Sequence, residues 1–518
     1  MLIDLLIVLT YFAVVLWVAL SGRKGLEISS EEYFLSSRSL RWPSIALSTI
    51  ATNISGYQFL GMMGSAYLYG LAQANLEINA IQGIWMAAFI FVPLYLKDKV
   101  ITVTQFIKKR LGETVGLFYS LANLFLFATI GLGAALFWGA YAADMVFGDY
   151  LLFISDDPFT RITVLVIALG IFSAIYTYYG GLSAVVRTDV IQFFILITGG
   201  ILILLASIYH LGGWSELYRK TPDLMHLHLP ADHPKLPWIG MFGLFLLNIN
   251  YWCANQSVVQ RSLAARSLED AQLGLMVGGV LKIFMAVIIV VPGIALAGIL
   301  GSENGLADPD QAFPYLVKHM LSPGLRGIIL CALFASLMSS VDSVFNSLAT
   351  LWSVDIYKEY INKEASDRDL VWAGRTTILV TLFTGVAMGC LLLWVKLENP
   401  EDAFTHTLNE LRYYINSGIV VIICASAFLI KPKQLLALLA FVSTVPINLM
   451  IKWQFPDMNY FVRSLCVISI AFIVIALPTI IRTGWQPTEN YLKYASDRMK
   501  WIGLGLIAAL IALHIIFH

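Results

Sequence analysis

"ATNISGYQF", residues 51–59, sits within a long apolar run, and how it is read decides the fold. Asn53, Ser55, Gly56 and Gln58 suit poorly a helix that only crosses a bilayer, where every polar group must find a partner without water. The surrounding chain has 518 residues, 58% of them hydrophobic and 13% charged, and its mean hydropathy is +0.77. A soluble protein carries about 25% charged residues. Here the apolar residues gather into runs separated by short polar connections. At about 20 residues per crossing, the runs predict an all-α membrane protein with about fourteen transmembrane helices.

Net charge is zero, which gives no reason to expect nucleic acid as a partner. Cys253, Cys331, Cys390, Cys424 and Cys466 all fall in apolar segments without CxxC spacing and read as buried thiols. The first segment, from Leu2 to about Leu20, lacks a basic leader and a small-residue cleavage site, and reads as a retained anchor. Orientation follows from Lys and Arg. With the N-terminus outside, the inside connections hold most of the 33 basic residues, among them Arg23, Lys24, Lys108, Lys109, Arg110, Arg261 and Arg266. Both termini are then expected outside, in a multi-pass protein of the plasma membrane, and the loops suit a bacterial inner membrane. The lipid bilayer is one partner, and the chain reads as a monomer or loose oligomer.

Charged groups at bilayer depth are costly, so each predicts a partner or a function. Glu77 in "NLEINA", Lys282 in "GGVLKIFMAV" and Asp342 in "LMSSVDSVFNS" stand out. The plain alternative is an ion pair between packed helices. Asp189 in "VVRTDVIQ" falls near a helix end, where the helix dipole alone favours a carboxylate. The histidines show no HxxH or HExxH spacing, so a metal centre is not expected. No nucleophile–base set is apparent either, and the chain does not read as an enzyme.

A second weak segment, "NINYWCANQ" (248–256), places Asn248, Asn250 and Asn255 at bilayer depth. One such segment is readily explained as polar glue between helices. Two, several crossings apart and accompanied by Glu77 and Lys282, point to the paired discontinuous helices of a transporter, whose unwound carbonyls meet ions. In "CALFASLMSSVDSVFNSLAT", Ser336, Ser339, Ser340 and Ser343 share one helical face. Such hydroxyls usually bond back to their own helix. Beside the carbonyls of a broken helix they would instead be hard oxygen ligands fit for sodium.

The stretches "EEYFLSSRSLRWPSIALSTIATNISGYQFLG", "ITVTQFIKKRLG", "YGGLSAVVRTDVIQ", "YWCANQSVVQRSLAARS" and "LMSSVDSVFNSLATLWSVDIYKEY" resemble, in order and spacing, the signatures of the solute:sodium symporter family, in its sodium–glucose cotransporter branch. The resemblance runs from about residue 30 to 430. It implies a leucine-transporter-like fold with two inverted five-helix repeats, 42–208 and 236–430, joined by an outside loop, 209–235. An extra helix and cytoplasmic loop, 1–41, would precede them, and extra helices, 431–518, would follow.

By the same resemblance, sodium, the co-transported ion, would be bound by the carbonyls of Ala51, Ile54 and Ser336 and the hydroxyls of Ser339 and Ser340. The solute, a monosaccharide, would meet Asn53, Gln58, Glu77, Asn248, Tyr251, Trp252, Lys282 and Asn409, with Met62, Tyr251 and Phe404 as gates. Asp189, with Ser336, is a candidate for a second sodium position. Asp342, one turn after Ser339, is a candidate for strengthening cation binding or titrating. Gly131 and Ala80 stand where relatives carry Asn and Ser, and Leu408 or Asn409 stands where they carry Gln. The alternative solutes are a sialic acid, inositol, proline or another small carboxylate. An obligate anion would want an uncompensated basic group, so direct pairing of Lys282 with Glu77, within ~4 Å, would favour a neutral polyol.

Overall fold

The structure, a computed structural model, describes residues 2–21, 28–301, 305–399, 404–484 and 490–518; the side chains of residues 2 and 404–406 are not among those described. Among the described residues the chain is helical, with two isolated bridges and no sheet. Among the described residues, eleven helical stretches are long and apolar enough to cross a membrane. Fewer stretches than the expected fourteen emerge for two reasons. Two crossings are interrupted in mid-run, and two long stretches, Gln58–Asp98 and Pro158–Leu211, contain bends. The second bends at Gly181, where φ is +54° and an added Cβ would lie 2.4 Å from the Tyr33 carbonyl oxygen.

Burial follows the apolar patterning. Phe383 and Ile481 are 76% and 77% exposed on outward helix faces, as side chains facing lipid are. The serine helix, Leu325–Thr350, is instead buried along almost all of its length and packs most extensively on Pro158–Leu211. Its small side chains permit that close approach. Gly139, on Leu132–Phe147, meets Leu337 of the serine helix with no room for a Cβ.

Both weak segments break. Trp42–Asn53 starts with Pro43 in its first turn and stops at Ile54, which is extended at φ −89°, ψ 116°. A π-helical turn, Gln58–Met62, then leads into Met63–Tyr69. In the second segment the order reverses. Gly240–Ile249 runs into a π-helical turn, Asn250–Ala254, and then Asn255 is extended at φ −70°, ψ 114° before Gln256–Leu263 begins. Asn255 caps that last helix, its side-chain oxygen accepting from the Ser257 amide at 2.9 Å. The far ends of the two broken helices are tied together: Leu40 N donates to Ala264 O at 3.0 Å, and Arg266 N to Leu40 O at 2.9 Å.

Candidate solute and ion site

At the first break the helix ladder loses two rungs. The Ser55 amide, which would close on Ala51 O, donates to Gln58 Oε1 at 2.7 Å. The Gln58 amide, which would close on Ile54 O, bonds Ser55 O at 3.0 Å. Ala51 and Ile54 thus present buried carbonyls that their usual donors have left. Gly56 lets Trp138 pack closely here: an added Cβ would lie 3.2 Å from the backbone carbon and Cβ of Trp138, a tight contact. The serine helix lies opposite. Ser340 Oγ donates to Thr52 O and Ser336 O, each at 3.1 Å, so it already bridges the break to the serine helix. Ser336 Oγ bonds back to Leu333 O at 2.8 Å, leaving its carbonyl as the group turned to Ser340.

Ser339 faces a buried polar cluster. Its Oγ donates to Asp189 Oδ1, while Asp189 Oδ2 accepts from Ser48 Oγ and, at 3.1 Å, from Arg261 Nη2. Arg261 also donates from Nε to Ser48 Oγ at 2.9 Å, and from Nη2 to Ser343 Oγ. Arg261 is fully buried. The orientation count places it in an inside connection; it instead ends the short helix Gln256–Leu263 and is packed into the core. Any sodium held at Asp189 would share that carboxylate with a guanidinium. Asp342 is separate, its two oxygens accepting from Ser173 Oγ and the Tyr176 hydroxyl.

Next to the break is a cavity of about 270 Å³ lined by residues of both broken helices, Glu113–Leu126 and its continuation, and the helix Phe404–Phe428. It is lined by Asn53, Gln58, Glu77, Asn248, Tyr251, Trp252, Lys282 and Asn409, and by Met62 and Ser340. Ala51, Ile54, Ser336 and Ser339 lie behind the wall. Phe404, expected as a gate, falls outside the described side chains.

Lys282 forms an ion pair with Glu77 and donates to Asn53 Oδ1, and its Nζ sits 5.9 Å from the Trp252 ring centre. Lys282 and Glu77 are both almost fully buried. Asn248 is fixed by donating from Nδ2 to Asn79 O at 3.0 Å. Gln58 differs from expectation. Its Nε2 donates to Asn53 O at 3.0 Å and its Oε1 accepts from Ser55, so its amide braces the break from the cavity wall. Ala80, Gly131 and Leu408 also line the cavity, making its wall apolar at those points.

Lys282 and Glu77 therefore compensate each other, but the cavity holds a third charged side chain that the sequence reading passed over: Arg412. Its signal was present in "NELRYY", an arginine within an apolar run.

Residues 33–441 match the sequence profile of the sodium:solute symporter family. The chain is 31% identical to the sodium/glucose cotransporter of Vibrio parahaemolyticus over 510 residues, covering 92% of this chain and 90% of that protein. It is 30% identical to sodium/glucose cotransporter 4 of Mus musculus over 475 residues, covering 84% of this chain and 64% of that one. Its fold is similar to that of a Na+-coupled sialic acid symporter in a substrate-bound, outward-open state, with a TM-score of 0.79 and 19% identity over 94% of this chain and 99% of that chain. It is also similar to Mhp1, a nucleobase-cation-symport-1 family transporter, with a TM-score of 0.56 and 13% identity over 89% of this chain and 98% of that chain. By the match over most of its length, the chain belongs to the sodium:solute symporter family.

Proposed function

We propose that the chain carries a monosaccharide-type solute into the cell together with sodium, by alternating access around the cavity at the helix breaks. The observation that carries this reading is the meeting of two unlike chemistries at Asn53–Ile54. On one side lie the carbonyls of Ala51, Ile54 and Ser336 and the hydroxyls of Ser339 and Ser340, oxygens only, as a hard monovalent cation requires. On the other lie the amides, carboxylate and ammonium that a polyhydroxylated molecule can satisfy as both donor and acceptor.

Sodium bound between the Trp42–Asn53 break and the serine helix braces the two together and fixes Asn53 against Lys282. That ordering is the coupling, since a cation and a solute that stabilise the same arrangement raise each other's affinity equally. Solute binding closes the outer side, where Met62 and Phe404 are the proposed gates. Tyr251, beside Trp252 with ring centres 5.3 Å apart, closes the inner path until sodium leaves. Each positive charge moved inward gains about 2.3 kcal/mol per 100 mV of a negative-inside potential.

One broken helix stands at the start of each of the two proposed inverted repeats, 42–208 and 236–430, as repeats with corresponding discontinuous helices require. The segments 1–41, 209–235 and 431–518 are then additions to this core. With the bends and breaks taken as boundaries, about fourteen crossings of ~20 residues result, and both termini lie outside a bacterial inner membrane. Asp189 and Asp342 are proposed to tune cation binding.

The test is uptake of labelled monosaccharides into proteoliposomes, with neutral D-glucose and acidic D-glucuronate assayed separately. An inward sodium gradient is expected to drive accumulation. Ser340→Ala, which removes one sodium oxygen and the bridge to Thr52, is expected to abolish accumulation while leaving exchange at high sodium measurable. Accumulation that persists without sodium, or is unchanged in Ser340→Ala, contradicts the assignment.

A further inference from the structure

Among the described residues, three charged side chains line the cavity: Glu77, Lys282 and Arg412. Glu77 and Lys282 neutralise each other in direct contact. Arg412 has no carboxylate partner among the described residues. The nearest acidic residue along its own helix, Glu410, is held by Lys452 at 2.7 Å and by Arg463. The groups within electrostatic reach of Arg412 are the phenols of Tyr413, Tyr57 and Tyr251, which are neutral and offer hydroxyls. The cavity therefore carries one net positive charge, on a guanidinium that is only partly exposed.

A charged group in such a place is costly unless an opposite charge meets it. Guanidinium is the side chain best shaped for a carboxylate, presenting paired N–H donors in one plane. We propose that the solute is a sugar acid with one carboxylate, held by Arg412, while its hydroxyls meet Asn53, Asn248 and the Glu77–Lys282 pair. This rests on the symport reading above and specifies the solute class of that same site. A single uncompensated charge matches a monoanion. A sugar phosphate, near −2 at neutral pH, would bring one charge more than the cavity can balance. For any fixed number of sodium ions, a sugar acid carries one positive charge fewer per cycle than a neutral sugar.

The experiment is a thermal-shift panel on the purified full chain, with and without sodium. The probes are D-glucuronate, D-galacturonate, D-gluconate, D-glucose and D-glucose 6-phosphate. Stabilisation by at least one of the three carboxylates, stronger in sodium and stronger than by D-glucose, is the expected result. Arg412→Gln is expected to weaken that carboxylate by about 10- to 100-fold, the usual loss of a hydrogen-bonded ionic partner, with Arg412→Lys falling between. The weakening relative to D-glucose, measured in the same protein, distinguishes recognition from general damage. Sodium-dependent stabilisation by D-glucose or D-glucose 6-phosphate with none from the carboxylates overturns the proposal and leaves symport standing. A carboxylate effect unchanged in Arg412→Gln also overturns it. No sodium-dependent effect from any probe overturns the symport reading and this inference together.

Discussion

Lys282→Ala is expected to cost about 3–5 kcal/mol of stability and to abolish solute binding, because it leaves the Glu77 carboxylate buried without its cation. Two further contacts vanish with it: the donor to Asn53 Oδ1 and the cation near the Trp252 ring. The companion variant separates structure from recognition. In Glu77→Gln/Lys282→Met the buried charges are removed together, and such replacements are often close to neutral for stability. Melting temperature is therefore expected to recover most of the way in the double variant, while solute binding stays absent because Asn53 still lacks its donor. Chemical or thermal unfolding in detergent, alongside equilibrium binding of the solute, reads both effects. Recovery of binding together with stability would mean that the pair serves packing alone.

Arg261→Ala carries the second large effect, again about 3–5 kcal/mol, with a different functional consequence. Arg261 joins four segments: Trp42–Asn53 through Ser48, Pro158–Leu211 through Asp189, the serine helix through Ser343, and its own Gln256–Leu263. Without it, Asp189 keeps only the hydroxyls of Ser48 and Ser339. Ser339 is also a proposed sodium ligand, so the sodium concentration giving half-maximal uptake is expected to change along with the melting temperature. Sodium should stabilise Arg261→Ala more than it stabilises the wild type, since the freed carboxylate is then the strongest cation ligand nearby. Arg261→Lys restores the charge but not the forked contacts, and is expected to recover stability only in part. A variant with normal stability and an unchanged sodium dependence would remove Arg261 and Asp189 from the account.

The residues that could be read in the sequence were those whose type is wrong for lipid. Asn53, Ser55 and Gln58 in one run, and Asn248, Asn250 and Asn255 in another, marked both helix breaks, and Glu77 and Lys282 marked the cavity between them. Residue type could not disclose what depended on a neighbour. Gly56 stood out as a residue poorly suited to a bilayer helix, yet its neighbour, Trp138 of a distant helix packed close against it, could not be read from residue type. Gln58 suggested a solute ligand, yet its amide is occupied by Asn53 and Ser55 of its own segment. Arg261 counts among the basic residues of an inside connection, although tertiary packing buries it against Asp189. Arg412 was missed because it falls in the polar first turns of its run, and its place in the cavity became plain only beside Tyr57 and Tyr251.

The most direct test of the central claim is the linkage between the two ligands. Solute affinity is measured by calorimetry on the purified protein across a range of sodium concentrations, and sodium affinity across a range of solute concentrations. Both are repeated in Ser340→Ala. The account predicts that sodium tightens solute binding, that solute tightens sodium binding by the same factor, and that Ser340→Ala brings both factors close to one. Solute affinity that is the same with and without sodium would contradict it.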